Sequence, residues 1–240
     1  MSIFGKISEI DIDDHSTWVD RAFLTFDIDW VNDSVLLDAI ELVESAGISA
    51  TWFATHNTPL LSRLRCNPMF ELGIHPNFNP LLQGENSKAV DALQVIEQAY
   101  EIVPDSLSVR SHSIAQSGPI LQAFAESGLT HDSNYMVPES AGIPLRPWRM
   151  SCGMTEVPYC WADEHMPNGR QSNVFKDIIR RVGLAVFDFH PIHVFLNTDS
   201  PSTYNKARPH LGDVGEVIKC RNTSSFGARS ALELLLEVAR

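Results

Sequence analysis

The chain has no apolar run of roughly 18 residues, the length a membrane-crossing helix needs, so no span is predicted. Positive charge is also in short supply. Eighteen Lys and Arg face 30 Asp and Glu, for a formal net charge of −12. Binding to a phosphate backbone relies on basic side chains that displace counterions, so a nucleic-acid partner is not expected. Cysteine is scarce as well: Cys66, Cys152, Cys160 and Cys220 form no CxxC pair and no dense framework. Reduced thiols in a cytoplasm are the simpler reading. The first fourteen residues, Met1 to Asp14, lack the basic and apolar stretches of a secretion signal, which points the same way. Internal repeats and low-complexity tracts are absent too.

What remains is an ordinary globular composition. The chain has 240 residues, 44% of them hydrophobic, which suits one α/β domain over residues 1–240 with a sizeable core. Its most informative segment is Ala22-Phe23-Leu24-Thr25-Phe26-Asp27-Ile28-Asp29-Trp30. An apolar, strand-like run ends there in two carboxylates. Strand side chains alternate faces, so Asp27 and Asp29 are expected to point the same way. Two adjacent acids are costly unless a cation lies between them or one is protonated. A metal site or an acid/base site is therefore indicated.

The rest of the chain alternates strand and helix signals. Strands are expected at Phe23–Phe26, Ser49–Ala54, Phe70–Gly73 and Leu107–Val109, then after Gly128 and at Met154–Val157 and Leu184–Phe189. Helices are expected at Ser34–Ser45, Ser87–Ile102, Pro119–Glu126, Val174–Val182 and Gly227–Val238. His75–Asn86 reads as a loop, residues 137–170 as irregular, and Thr198–Ser225 as a long polar connection. Such alternation argues for a parallel sheet or barrel covered by helices. In folds of this kind functional groups gather at the C-terminal ends of the strands. Asp27 with Asp29, His56, His75, Arg110 and His190 each follow a strand-like segment directly. They are candidates for one shared site.

Taken in order, these segments resemble the motifs of the metal-dependent polysaccharide deacetylase superfamily, the NodB-like proteins of carbohydrate esterase family 4. The likeness covers about residues 20–200. Thr25-Phe26-Asp27-Ile28-Asp29 resembles the first motif, which implies Asp27 as general base and Asp29 as metal ligand. His75-Pro76-Asn77-Phe78-Asn79-Pro80 resembles the second, which supplies two His four residues apart, followed by Pro. His75 matches, and Asn79 stands where the second His is expected. An amide oxygen is a harder, weaker ligand than imidazole. His112 and His56 are the residues that could fill the gap. Val109-Arg110-Ser111-His112-Ser113 resembles the third motif, whose Arg pairs with the base carboxylate. His112 is a metal ligand, a substrate contact or a plain hydrogen-bond donor.

Leu129 to Asn134 and Glu156-Val157-Pro158 resemble two structural segments of the family. Phe187-Asp188-Phe189-His190-Pro191 resembles the last motif and implies His190 as general acid, with His193 the runner-up. Trp30 and Trp161 are candidates for stacking on a sugar, and Trp148 and Tyr159 lie in the same irregular stretch as Trp161.

The resemblance implies an α/β fold, a distorted (β/α) barrel of about seven strands. It implies hydrolysis of an acetyl group from an N-acetylated sugar of a surface glycan or its precursor. A divalent metal, zinc or a harder substitute, would bind Asp29, His75 and Asn79. The alternatives are a hydrolase of the same fold acting on a non-sugar amide, and a binding protein that lost its metal through Asn79. Oligomeric state is not indicated.

Overall fold

The structure is a computed structural model describing residues 3–85, 89–165 and 183–238. The expected helix Val174–Val182 lies outside the described residues. The elements run in chain order: β1 (Phe4–Gly5), β2 (Arg21–Asp27), α1 (Asp33–Ala46), β3 (Ala50–Ala54), α2 (Leu60–Cys66) and β4 (Phe70–Ile74). Then come α3 (Asn79–Leu82), α4 (Ala92–Ile102), β5 (Ser108–Val109), α5 (Gly118–Glu126), β6 (His131–Asp132), β7 (Trp148–Arg149) and β8 (Thr155–Glu156). β9 (Trp161–Ala162), β10 (Leu184–Phe189), α6 (Pro191–Leu196), α7 (Pro201–Ala207), α8 (Val214–Lys219) and α9 (Ala228–Val238) follow.

These strands form one ten-stranded sheet, ordered β7-β8-β6-β5-β4-β3-β2-β10-β9, with β1 also on β2. All pairs are parallel except β7 with β8. The segment from β8 to β9 curls the sheet into a barrel. Its start pairs with β6 and its end with β10. Between them Val157 N donates to Asp132 O, and Cys160 N donates to Val186 O. Counting β8 and β9 as one continuous segment, the ring has the expected number of strands.

Alternation of side chains along β2 divides the core. Ala22, Leu24 and Phe26 face outward and pack with Leu36, Ala39, Ile40 and Val43 of α1. Asn32 caps α1 by accepting from Ser34 N at 2.9 Å, and Gly47, at φ 64°, ends it. The inward residues Phe23, Phe53, Leu184 and Val186 meet Ile7, Ile10 and Trp18, which plug the lower end of the barrel. Higher up the interior turns polar, with Thr25, Asp27, Arg110 and Asp188 all buried.

Local chemistry explains where elements depart from the pattern-based reading. The helix expected from Ser87 begins at Ala92 because Asp91 caps it, accepting from Gln94 N at 3.0 Å. The long polar connection contains α7 and α8, whose starts are set by Pro201 and by the capping carboxylate of Asp213. Their short apolar faces, Ala207 and Val217, pack on Ile192, Phe195 and Leu196 of α6. The loop after His75 contains the single turn of α3.

Candidate active site and metal centre

Parallel pairing in matched register brings the strand ends to one level. β2 and β10 pair from Arg21 with Leu184 to Phe26 with Phe189, so Asp27 and His190 come next at the same height. β4 and β5 pair at Ile74 and Val109, so His75 and Arg110 follow side by side. These ends line a cavity of about 300 Å³ that includes Asp27, His75, His112, Tyr159, Glu164, Asp188 and His190.

Asp27 and Asp29 converge by a different route from the alternation expected of a strand. β2 stops at Asp27, and Asp29 has a left-handed backbone with φ 48°. Thr55 Oγ1 holds this turn by donating to the Asp29 carbonyl. Both carboxylates then face His75, whose Nε2 is 3.7 Å from Asp27 Oδ2 and 3.5 Å from Asp29 Oδ1. Ser113 and Ile114, at φ 57° and 48°, are also left-handed. Non-glycine residues rarely take this conformation, and here two of them line the cavity while the third, Asp29, is bonded to its His112.

Arg110 is the structural hub. Its fully buried guanidinium donates through Nη1 to Asp27 Oδ1 at 3.0 Å, to Asp188 Oδ1 at 2.5 Å and to Thr25 Oγ1 at 2.9 Å. Nε and Nη2 donate to the carbonyl and hydroxyl oxygens of Ser133. Phe53 and Tyr159 cover the guanidinium, 4.8 and 4.7 Å from their ring centres. Burial, reinforced by the charge of Asp27, pushes Asp188 up to about 8 although Arg110 pulls it down. The cluster thus holds one permanent cation against two carboxylates; both line the cavity, and Asp27 is the one beside His75.

Asp29, His75 and His112 form a convergent donor set. His112 Nδ1 is 3.0 Å from Asp29 Oδ1 and 3.3 Å from His75 Nε2. Burial would raise the Asp29 carboxyl, but hydrogen bonds from His112 and His75 outweigh it and hold the group well below the usual range. One carboxylate oxygen and two imidazole nitrogens aimed at a common point suit a divalent metal such as zinc. The donor set therefore fits the implied metal. Asn79 Nδ2 donates to Ser113 Oγ at 3.0 Å, the hydroxyl of the residue after His112. His56 is outside the donor set, with Nδ1 3.0 Å from Thr55 Oγ1.

His190 stands across the cavity. Asp163 accepts from its backbone N and from its ring Nδ1, both at 2.8 Å. Burial opposes the imidazolium, but Asp163 outweighs it, so His190 is raised well above its ordinary value and keeps its proton at neutral pH. His193 is one helical turn on, not at the end of an extended segment, because Pro191 starts α6. Its ring lies 5.6 Å from that of His190, and burial lowers its pKa, so it is neutral.

The two tryptophans part company. Trp30 is 55% exposed and stands edge-on to His112 at 5.0 Å, at the rim of the donor set. Trp161 instead packs its ring on Phe189, 4.7 Å away, as part of the core margin and not the cavity lining. Trp148 pairs with Tyr135, and Tyr159 is buried over Arg110. Asp163, Glu164 and Asp188 were not singled out from the sequence. Their signals were present: Trp161-Ala162-Asp163-Glu164 is a short strand ending in two acids, and Asp188 interrupts an apolar run.

Comparison with known proteins identifies the family and the fold. The family model of the WbmS-like polysaccharide deacetylases matches residues 24–208. A crystal structure from Bordetella bronchiseptica, of a protein assigned to the polysaccharide deacetylases and to O-antigen biosynthesis, is 44% identical with a TM-score of 0.90. The match covers 99% of this chain and 98% of that one. A protein from Mycobacterium smegmatis, also assigned to the polysaccharide deacetylases, is 16% identical with a TM-score of 0.52, over 91% of this chain and 84% of that one. At that identity only the fold is shared. No curated protein is significantly similar to the chain.

Proposed function

Because the chain belongs to the WbmS-like polysaccharide deacetylases, we propose that it hydrolyses the acetyl amide of an N-acetylated sugar in a surface glycan or its precursor. One observation carries this reading: the donor set Asp29, His75 and His112 adjoins Asp27 on one side of a cavity whose other side is His190.

Asp29, His75 and His112 would hold the divalent metal, zinc being the best match to two imidazoles and a carboxylate. When bound, the metal supplies a lowered pKa for a water and polarisation of the acyl oxygen. The chain's own groups do the rest. Asp27, kept in place by Arg110, takes the proton of the attacking water. His190, protonated through Asp163, gives its Nε2 proton to the nitrogen as the C–N bond breaks. His193, being neutral, lacks that proton to give. Trp30 offers a flat exposed face at the rim for a sugar ring.

No helix among the described residues is long and apolar enough to cross a membrane. Cys66, Cys152 and Cys220 are free thiols, which suits a reducing compartment and an enzyme acting in the cytoplasm on a glycan precursor.

The test is metal analysis of protein purified without chelator, followed by assays of acetate release from a panel of N-acetyl sugars and of ring opening in a panel of cyclic amides. About one equivalent of metal and chelator-sensitive acetate release from a sugar are expected. Ring opening of cyclic amides with no acetate release from any sugar, or activity untouched by chelator and metal loss, would overturn the reading.

A further inference from the structure

The deacetylation reading leaves one wall of the cavity without a task. Glu164 follows Asp163 at the end of β9, and its side chain is 51% exposed. Its Oε1 lies 3.2 Å from His190 Nε2, the ring atom turned away from Asp163. The other carboxylates on this cavity, Asp27 and Asp188, are buried and committed to Arg110. Glu164 is thus the exposed acceptor on this cavity, paired with His190 Nε2 and not with Arg110.

That pairing matches the needs of a secondary amide nitrogen. In the planar amide the nitrogen lone pair is delocalised and its hydrogen lies in the plane. As water adds to the carbonyl carbon, the lone pair localises and must face the acid, while the N–H still needs an acceptor. Protonated His190 offers only a donor. We propose that Glu164 accepts the substrate N–H and so turns the nitrogen lone pair toward His190 Nε2, making it the residue that selects N-acyl over O-acyl substrates. The proposal rests on the deacetylation reading. In the balanced step the water oxygen bonds to carbon as one water proton passes to Asp27, the C–N bond breaks, the His190 proton goes to nitrogen, and amine and acetate leave, the second water proton and that on Asp27 passing to solvent as His190 is reprotonated. Glu164 neither gains nor loses a proton. An ester oxygen carries no hydrogen and gains nothing from it.

The experiment uses one sugar in three forms: N-acetyl, N-methyl-N-acetyl and O-acetyl. Values of kcat/KM are compared for wild type, Glu164→Ala and Glu164→Gln. A charge-assisted hydrogen bond is worth about 10- to 100-fold. Glu164→Ala should lose about that factor on the N-acetyl sugar and almost nothing on the other two. Glu164→Gln, which retains a carbonyl acceptor, should recover part of it. Losses of equal size on all three substrates, or no loss on the N-acetyl sugar, would overturn the role of Glu164. A wild type that cleaves the O-acetyl sugar alone would overturn the deacetylation reading itself, and Glu164 with it.

Discussion

At the scale of residues the site divides two similar carboxylates by their partners. Asp29 faces two imidazoles, while Asp27 faces Arg110 and one imidazole. Asp27→Asn should therefore retain zinc and lose acetate release by on the order of 10²-fold or more, the usual size of a general-base effect. Zinc stoichiometry and kcat on the same preparation check both halves. A second carboxyl pair sits behind the site. Burial and the neighbouring Asp132 push Glu156 from 4.5 up to about 10, and burial pushes Asp132 up to about 6. The folded protein thus binds protons here that the unfolded chain releases, so stability falls as pH climbs from about 4.5 toward 10. Glu156→Gln removes that contribution. Its melting temperature should drop less than that of wild type between about pH 6 and about pH 9; parallel curves would show that Glu156 is not held protonated. The strand-end groups Asp27, Asp29, His75, Arg110 and His190 were legible because a polar residue closing an apolar run stands out. Glu164 and Asp163 were not, since a strand as short as Trp161–Ala162 leaves almost no periodic signal.

At the scale of elements, one glycine shows how tightly the barrel interior is filled. A Cβ on Gly73 in β4 would come within 2.5 Å of the Phe53 ring and 2.8 Å of Ser108 Oγ. Phe53 cannot retreat, because its ring also covers Arg110. Gly73→Ala should cost about 1–3 kcal/mol, the range for overpacking a core, and should lower the denaturant midpoint with little change in slope. An unchanged midpoint would mean the interior is looser than drawn. Elements with a strong local pattern, such as the capped helix α1 and the almost wholly apolar run of β10, were readable from pattern alone. Others depended on tertiary partners. Pro191, directly after the last strand, occupies the first turn of α6, where its fixed φ suits a helix. That helical turn brings His193 back against His190. α7 and α8 were hidden for another reason: each is a helix of six or seven residues whose inward face is one or two small apolar side chains.

At the scale of the molecule, parallel strands in register turn separate motifs into one centre. The alternation of strands and helices made the barrel legible, but its closure was not, because the residues that join β6 to β10 look irregular in sequence. The closed ring has a consequence for stability. The proposed ligands come from the ends of three strands, with Asp29 after β2, His75 after β4 and His112 after β5. A metal bound to all three ties together strand ends that unfolding would separate. It binds the folded chain and not the unfolded one, so it stabilises by mass action. At free zinc a thousandfold above Kd the gain is about 4 kcal/mol. For a chain of this size that is on the order of 10 °C in Tm. Wild-type protein stripped with chelator should show this rise when zinc is returned. Asp29→Ala and His112→Ala should each lose most of it. Asn79→Ala should keep it, since the Asn79 amide nitrogen is bonded to Ser113 and the two imidazoles with Asp29 already supply three ligands. The decisive comparison is between the last two variants. If Asn79→Ala abolishes the rise while His112→Ala leaves it intact, the third ligand is the amide that the motif spacing indicated, and the assignment to His112 fails.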